Sequence, residues 1–216
     1  MFEWLLGKKS PASEPVASPV DLASMPAYAQ EFEAAWARTE RLGLEAPPVR
    51  LVVRKDCVDM AKVMPVLLDY FDRHDPAELM GQTAAIHFAL VPLLVRETGI
   101  PFQLTIGWMV HDGRTIFQHD EGTIQRFLRE KLEAWSREGM PFHLWLTSPA
   151  YEVIDVTFAM NLGWAKTREQ CEKLVIYQPA HAPASKNVYH PMLVGPEFFN
   201  HSGATMDASG STGAMT

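Results

Sequence analysis

The hydrophobic pattern of this 216-residue chain changes its period near Pro101, and this change constrains the fold more than any other feature. Before it, aromatic residues recur at four-residue spacing within residues 26–42, which predicts an amphipathic helix. After it, apolar residues alternate with polar or small ones over residues 102–108, which predicts a β-strand. Since helical patterns come mostly first and strand patterns later, we expect an α+β domain with helices packed on an antiparallel sheet.

Two more helices are predicted in the first half of the chain. The first covers residues 56–72 with its initial aspartate as the N-cap, and Pro65 inside it implies a kink or a break. The second covers residues 75–99, again with an aspartate as N-cap and with a glycine at its end. Because glycine is unfavourable inside a helix, Gly81 favours a division of this element into two helices.

The second half of the chain predicts two hairpins with a helix between them. The first hairpin turns at Asp112-Gly113, and the helix after it carries an apolar stripe and ends at Gly139. The second hairpin has a three-residue connection centred on Pro149. The predicted bounds are 121–138 for the helix, 142–147 and 151–156 for the second hairpin, and 49–53 and 173–177 for two further strands.

Composition and charge exclude several classes of protein. The net charge of −7 and the isoelectric point near 5.6 argue against nucleic-acid binding, which depends on lysine and arginine. No apolar run reaches the length of a membrane span, since the richest run, residues 84–95, contains His87 and Pro92. The two cysteines fit a reducing compartment. We therefore expect a soluble cytoplasmic protein that binds neither nucleic acid nor membrane, and its oligomeric state stays open.

The ends of the chain differ in composition from its middle. We expect a flexible N-terminal segment at residues 1–25, a single domain at 26–200 and a disordered tail at 201–216, because residues 8–25 and the tail offer little that a core would bury. The N-terminal segment opens with an apolar hexamer, MFEWLL. It is either a frayed chain end or a docking peptide for a partner, and we favour the frayed end.

The second predicted hairpin brings together two residues that can move protons. A three-residue connection pairs Thr147 with Tyr151 and, further along, His143 with Asp155. Directly opposed residues share one face of the sheet. An imidazole beside a carboxylate is the arrangement that a general base requires, since the carboxylate selects the tautomer and stabilises the charged ring. A register shifted by one residue would separate the pair.

Several short motifs follow one another along the chain: Gly81-Gln82-Thr83, Gly99-Ile100-Pro101, Ile106-Gly107-Trp108, Phe142-His143-Leu144-Trp145 and Val153-Ile154-Asp155-Val156-Thr157. Their order and spacing resemble the transglutaminase-like branch of the papain-like cysteine protease fold, over roughly residues 76–160. The resemblance implies a papain-like fold in which a helix beginning near Thr83 packs on an antiparallel sheet. It also implies that His143 is the base and Asp155 its orienting group. We expect no cofactor and no metal.

The residue at the nucleophile position departs from this family. Thr83 stands where the family has its cysteine, and a hydroxyl is far less acidic than a thiol. The protein either keeps the fold without catalysis, uses Thr83, or uses Cys57 at a predicted helix start. We favour a degenerate or non-catalytic member that binds a protein or peptide partner. The alternative is an acyl-transfer enzyme, a hydrolase or transferase of amides or esters, that combines Thr83 or Cys57 with His143 and Asp155.

Other histidines have weaker claims to a functional role. His87 lies one helical turn after Thr83, and we expect a core histidine that is hydrogen-bonded to the backbone. His111 and His119 each precede an aspartate near the first hairpin, a pattern that a metal site would also show. Because histidine and aspartate are common at turns, we expect no metal there.

Overall fold

A computed structural model describes residues 25–47, 56–74, 79, 81–163, 167–173, 175–180 and 186–204. The helices are α1 (Ala27–Arg41), α2 (Met60–Asp72), α3 (Thr83–Thr98), α4 (Glu121–Glu130), α5 (Leu132–Glu138), α6 (Phe158–Asn161), α7 (Arg168–Lys173) and α8 (Glu197–Ser202). The strands are β1 (Gln103–His111), β2 (Arg114–Ile116), β3 (His143–Thr147), β4 (Val153–Asp155), β5 (Ile176–Gln178) and β6 (Asn187–Val194). The predicted strand at 49–53, the predicted N-cap at 75 and most of both predicted terminal segments lie outside the described residues.

The strands form one antiparallel sheet with β1 at its centre. β6 pairs with β1 along one of its edges. Along the other edge, β3 pairs with residues 103–107 of β1 and β2 pairs with residues 109–111. β4 extends the sheet beyond β3, and β5 extends it beyond β4. The chain is therefore an α+β protein, as the change of hydrophobic period predicts.

The helices cover the sheet in three groups. α1 packs on β6, where its aromatic face joins a cluster with Tyr151 and Val194. α3 packs on β3 and on α2, and the main hydrophobic core lies between these helices and the sheet. α4, α5 and α8 pack together around Phe127 and Phe198. The packing of α3 on β3 places the start of this helix near the second hairpin. Within the described parts of the chain, no helix has both the length and the apolar character needed to cross a membrane.

Several predicted helix bounds need correction. The N-cap of α2 is Asp59, whose carboxylate accepts from the backbone N–H of Ala61, and the helix passes Pro65 without a break. The helix predicted over 121–138 is two helices, because Lys131 adopts φ 53° and ψ −130° between α4 and α5. α3 begins just after Gly81, whose φ of +80° is a left-handed conformation that glycine adopts without strain.

Two strand predictions also need correction. The strand expected at 173–177 lies at Ile176–Gln178, because α7 extends to Lys173. β6 is absent from the sequence prediction, although it pairs with most of the length of β1. Pro191 interrupts the strand pattern of β6, and the pairing with β1 shifts register opposite Ile106 and Gly107. An irregularity of this kind accommodates a proline, which has no N–H to donate to the sheet.

The register of the second hairpin differs from the prediction by two residues. Thr147 lies opposite Val153 rather than Tyr151, so the connection is five residues long, 148–152. Ser148 explains this length, since its hydroxyl accepts from the backbone N–H groups of Ala150 and Glu152 and its carbonyl from Tyr151. Because side chains alternate between faces, a shift of two keeps each residue on its predicted face.

Candidate functional site

The structure brings His143 and Asp155 together, although they are not directly opposite each other. His143 begins β3 and Asp155 ends β4, so that the two residues lie diagonally across the hairpin on the same face. The Nε2 atom of His143 is 2.7 Å from Oδ2 of Asp155, and both side chains are fully buried. The pair is therefore a desolvated hydrogen bond between a ring nitrogen and a carboxyl group.

Asp155 is an ionised carboxylate with a full set of donors. Besides His143, its Oδ2 accepts from the hydroxyl of Tyr189 at 2.9 Å, and its Oδ1 accepts from the backbone N–H groups of Thr157 and Phe158, each at 3.0 Å. Burial alone would raise the pKa of Asp155, but the neighbouring His143 and these hydrogen bonds outweigh it and hold the pKa below its usual value. Burial, and then the negative charge of Asp155, raise the pKa of Tyr189, which stays protonated as a donor.

The His143 ring has one nitrogen without a partner. Because the Asp155 carboxylate only accepts, Nε2 carries the hydrogen, and Nδ1 has no hydrogen-bond partner among the described residues. Phe117 stacks on one face of the ring at 5.3 Å between centroids, and Phe158 meets it edge-on at 5.9 Å. Phe117 has a φ of 58°, which is costly for an aromatic residue. Aromatic rings thus pack against the imidazole, and the nitrogen that a base would use is buried.

The hydroxyl of Thr83 is committed to a different partner. Thr83 is the first residue of α3 and is only 3% exposed. Its Oγ1 donates to Oδ1 of Asn161 at 2.9 Å, and the described residues show no hydrogen bond between Thr83 and His143. Asn161 ends α6, six residues after Asp155 in the chain. The sequence does not indicate Asn161, since no local pattern marks a residue that contacts the start of α3 only in the folded chain.

His87 is the core histidine that its position predicts. Its Nδ1 lies 2.7 Å from the backbone oxygen of Thr83, one turn earlier in α3, and the side chain is fully buried. Because a carbonyl only accepts, Nδ1 carries the hydrogen. Burial lowers the pKa of His87 to about 4, so the ring is neutral near pH 7. Its Nε2 is then an acceptor, and no described residue donates to it.

The structure does not bring Cys57 to His143. The Cys57 thiol donates to Oε2 of the buried Glu152 at 3.2 Å, and burial together with this hydrogen bond raises the pKa of the thiol. Glu152 also accepts from the hydroxyls of Ser148 and Tyr177, each at 2.7 Å. It lies at the loop end of the hairpin, three residues before Asp155, which is about 10 Å along a strand. Cys57 is therefore a protonated thiol away from the His–Asp pair.

A cavity of about 400 Å³ lies where α3 meets the start of β1, and His87 is among the residues that line it. Most of its described lining residues are apolar, two are glutamates, and none of the described ones is a lysine or an arginine. The residues that line it are Glu45, Ala46, Pro47, His87, Phe88, Val91, Pro92, Phe102, Gln103, Leu104, Pro196 and Glu197. Volumes of this order are typical of pockets that bind small molecules or short peptide segments.

His111 and His119 each form a hydrogen bond to an oxygen atom. His111 lies 2.7 Å from the side-chain oxygen of Asn187, and His119 lies 2.9 Å from the backbone oxygen of Phe117. Over the ranges that the structure describes, no group of three His, Cys, Asp or Glu side chains is placed to hold a metal ion.

The arrangement combines a base-like pair with a hydroxyl that is turned away from it. The His143–Asp155 pair could accept a proton at Nδ1, and Thr83 lies at a helix start, but Thr83 gives its hydrogen to Asn161. No protein-family model, curated protein or solved structure matches this chain. A function for the chain therefore has to be argued from the geometry of these residues.

Proposed function

We propose that the protein is a non-catalytic transglutaminase-like domain that binds a protein or peptide partner. The order of its motifs, the packing of α3 on β3 and the pairing of His143 with Asp155 support the transglutaminase-like assignment. The observation that carries the non-catalytic assignment is the hydrogen bond from Thr83 to Asn161. The hydroxyl at the nucleophile position donates its only hydrogen to an amide oxygen instead of to a base.

Burial of the site supports the same conclusion. Thr83 is 3% exposed, and His143 and Asp155 are fully buried. An acyl group has to come within about 3.5 Å of an attacking oxygen before it can react. With Phe117 and Phe158 around the ring of His143, this approach needs a rearrangement of the aromatic packing. The His–Asp pair then stabilises the hairpin and serves no reaction.

The cavity beside His87 supports the binding half of the proposal. It has an apolar wall, while the candidate catalytic residues have no comparable access to solvent. We place the partner there. A folded partner would insert a few apolar side chains, because a volume of about 400 Å³ holds no more than a short segment.

The alternative function is acyl transfer, and one observation favours it. The Nδ1 atom of His143 has no hydrogen-bond partner among the described residues, as expected of a general base whose nitrogen accepts a proton during the reaction. In this alternative Thr83 turns away from Asn161 and attacks an amide or ester carbonyl, and His143 takes the hydroxyl proton while Asp155 orients the ring. His143 then gives this proton to the leaving amine or alcohol as its bond to the carbonyl carbon breaks, which leaves the acyl group on Thr83.

Reaction with electrophiles distinguishes the two functions. We expect that a fluorophosphonate and an activated ester leave Thr83 unmodified, as judged by mass spectrometry of the peptide that contains it. We also expect that Thr83→Cys reacts with iodoacetamide at pH 6 no faster than an accessible thiol, represented by Thr167→Cys at an exposed position. Modification of Thr83, or fast alkylation of Thr83→Cys that His143→Ala abolishes, would establish the acyl-transfer function instead.

A further inference from the structure

We propose that Phe117 is a movable cover over the His143–Asp155 pair, and that its outward movement exposes the His143 ring, with its free Nδ1 atom, to solvent. The inference goes beyond the proposed function. It concerns access to the base and supplies no nucleophile, because the hydrogen bond from Thr83 to Asn161 does not involve Phe117.

Three aromatic rings pack around the imidazole of His143, and Phe117 differs from the other two. Trp145 and Phe158 lie 5.8 and 5.9 Å from the imidazole between centroids, and both are buried members of one hydrophobic cluster. Phe117 stacks on the imidazole at 5.3 Å, with the ring planes 10° apart. It is only half-buried, and within the described ranges it joins none of the hydrophobic clusters. Of the three rings, Phe117 is therefore the one whose movement disturbs the core least.

The backbone of Phe117 is strained in the closed position. Its φ of 58° lies in the left-handed region, which a bulky side chain seldom adopts. Such a conformation persists only where the surrounding contacts outweigh its cost, and strained residues are frequent at ligand clamps and switch segments. Because outward movement lets φ return to an ordinary value, it offsets part of the stacking that is lost.

The residues after Phe117 limit how far the cover moves. Nδ1 of His119 lies 2.9 Å from the backbone oxygen of Phe117, and it donates because a carbonyl only accepts. The His119 ring is buried and meets Phe142 edge-on at 4.5 Å between centroids. Asp120 caps α4 by accepting from the backbone N–H of Thr123. Since His119 and Asp120 are anchored, the movement is local to Phe117.

The closed position also leaves the base nitrogen without a hydrogen bond. His143 is fully buried, and its Nδ1 has no partner among the described residues. Buried acceptors without a partner are rare in folded proteins, because such groups give up their hydrogen bonds to water. When Phe117 moves outward, water reaches the ring and donates to Nδ1. Backbone strain and the unpaired nitrogen thus both favour opening, while ring stacking favours closure.

Chemical modification of histidine tests whether the cover moves in the wild-type chain. Diethyl pyrocarbonate modifies an uncharged imidazole at a ring nitrogen that it can reach, and the tryptic peptide 138–166 contains His143 as its only histidine. Mass spectrometry gives the rates for His143, for the exposed His201 and for His87, which is fully buried in α3. We expect His143 to react more slowly than His201 but about tenfold faster than His87, or more. A rate at His143 no greater than that at His87 would overturn the inference.

Low concentrations of urea separate movement of the cover from unfolding. Local opening exposes little surface, so the modification rate of His143 should stay constant at urea concentrations below the unfolding transition. The rate of His87 should rise steeply with urea, because its exposure requires α3 to unfold. If both rates depend on urea to the same degree, His143 becomes accessible only through unfolding, and the cover does not exist.

Two substitutions change the cover without altering the His–Asp pair. Phe117→Ala removes the stacked ring and should raise the modification rate of His143 about tenfold or more. His119→Phe keeps a ring on Phe142 but cannot donate to the Phe117 carbonyl, and should raise the rate about fivefold. Leu128→Ala, which removes a half-buried side chain of α4 packed on the main core, is the control and should leave the rate unchanged. Urea denaturation identifies any variant that fails to fold. An unchanged rate in folded Phe117→Ala, or in folded His119→Phe if Phe117→Ala does not fold, would overturn the inference.

Discussion

Replacing Asp155 with asparagine should destabilise the protein strongly, although the two side chains have the same shape. Asparagine keeps an oxygen that can accept from the backbone N–H groups of Thr157 and Phe158. At the other position, an amide NH₂ replaces the oxygen that accepts from His143 and Tyr189. His143 would have to move its hydrogen to Nδ1, and the Tyr189 hydroxyl would lose its acceptor.

The size of the effect follows from the number of hydrogen bonds that lose their charge. A hydrogen bond to a charged group contributes about 1.5–3 kcal/mol, against about 0.5–1.5 kcal/mol for a neutral one. All four hydrogen bonds to Asp155 lose their charge in Asp155→Asn, at about 1 kcal/mol each, so we expect the free energy of unfolding at pH 7 to fall by about 4 kcal/mol. Urea denaturation measures this difference. Asp69→Asn is the control, since Asp69 forms an exposed ion pair with Arg73 and should change the value by less than about 1 kcal/mol.

The pH dependence tests the charge assignment. The pKa of Asp155 in the folded protein is below its usual value, whereas an unfolded chain has the ordinary value of about 3.9. The stabilisation is thus fully present above that value and is lost as the pH falls through the folded-state pKa. Because asparagine does not titrate, the difference in the free energy of unfolding between the wild type and Asp155→Asn should disappear below about pH 4. A variant within about 0.5 kcal/mol of the wild type at pH 7 would refute the reasoning.

Three further substitutions test local features of the fold by urea denaturation. Lys131→Gly should stabilise the protein by about 1 kcal/mol, because glycine adopts the backbone conformation at this break without strain, and a loss of stability would contradict the account of the break. Gly107→Ala should prevent stable folding, since the new Cβ would lie 2.6 Å from the ring of Trp145, and a variant with near-wild-type stability would exclude this close approach. Tyr28→Phe should cost about 2 kcal/mol because it leaves the buried N–H of Trp145 without its acceptor, and no measurable cost would show that the indole finds another partner.

The sequence predicts most helices because their signals are local. The apolar spacing of α1 and the glycine after α3 come from residues within one or two turns. The break at Lys131 has no such signal, since nothing in the neighbouring sequence requires a left-handed residue there. β6 was missed for a similar reason. Pro191 disrupts its alternation, and the irregular pairing with β1 that accommodates the proline is a tertiary feature.

The candidate site was predictable in part. The shared face of His143 and Asp155 follows from the twofold period of the strands, and a register shift of two preserves it. The actual register depends on Ser148, whose hydroxyl and backbone organise the connection through contacts that spacing does not reveal. Tyr189 and Asn161 complete the site from other parts of the chain. Their roles require the fold itself, because no motif links them to the hairpin.

The five-residue connection between β3 and β4 makes the site sensitive to insertions and deletions. Inside this connection, Ser148 and Glu152 form hydrogen bonds to each other and to the backbone. An added residue would therefore break these hydrogen bonds or shift the strand that follows. Addition or removal of one residue would turn Asp155 to the opposite face of the sheet and away from His143. Changes in the length of this connection should therefore be rarer in related chains than substitutions on its surface.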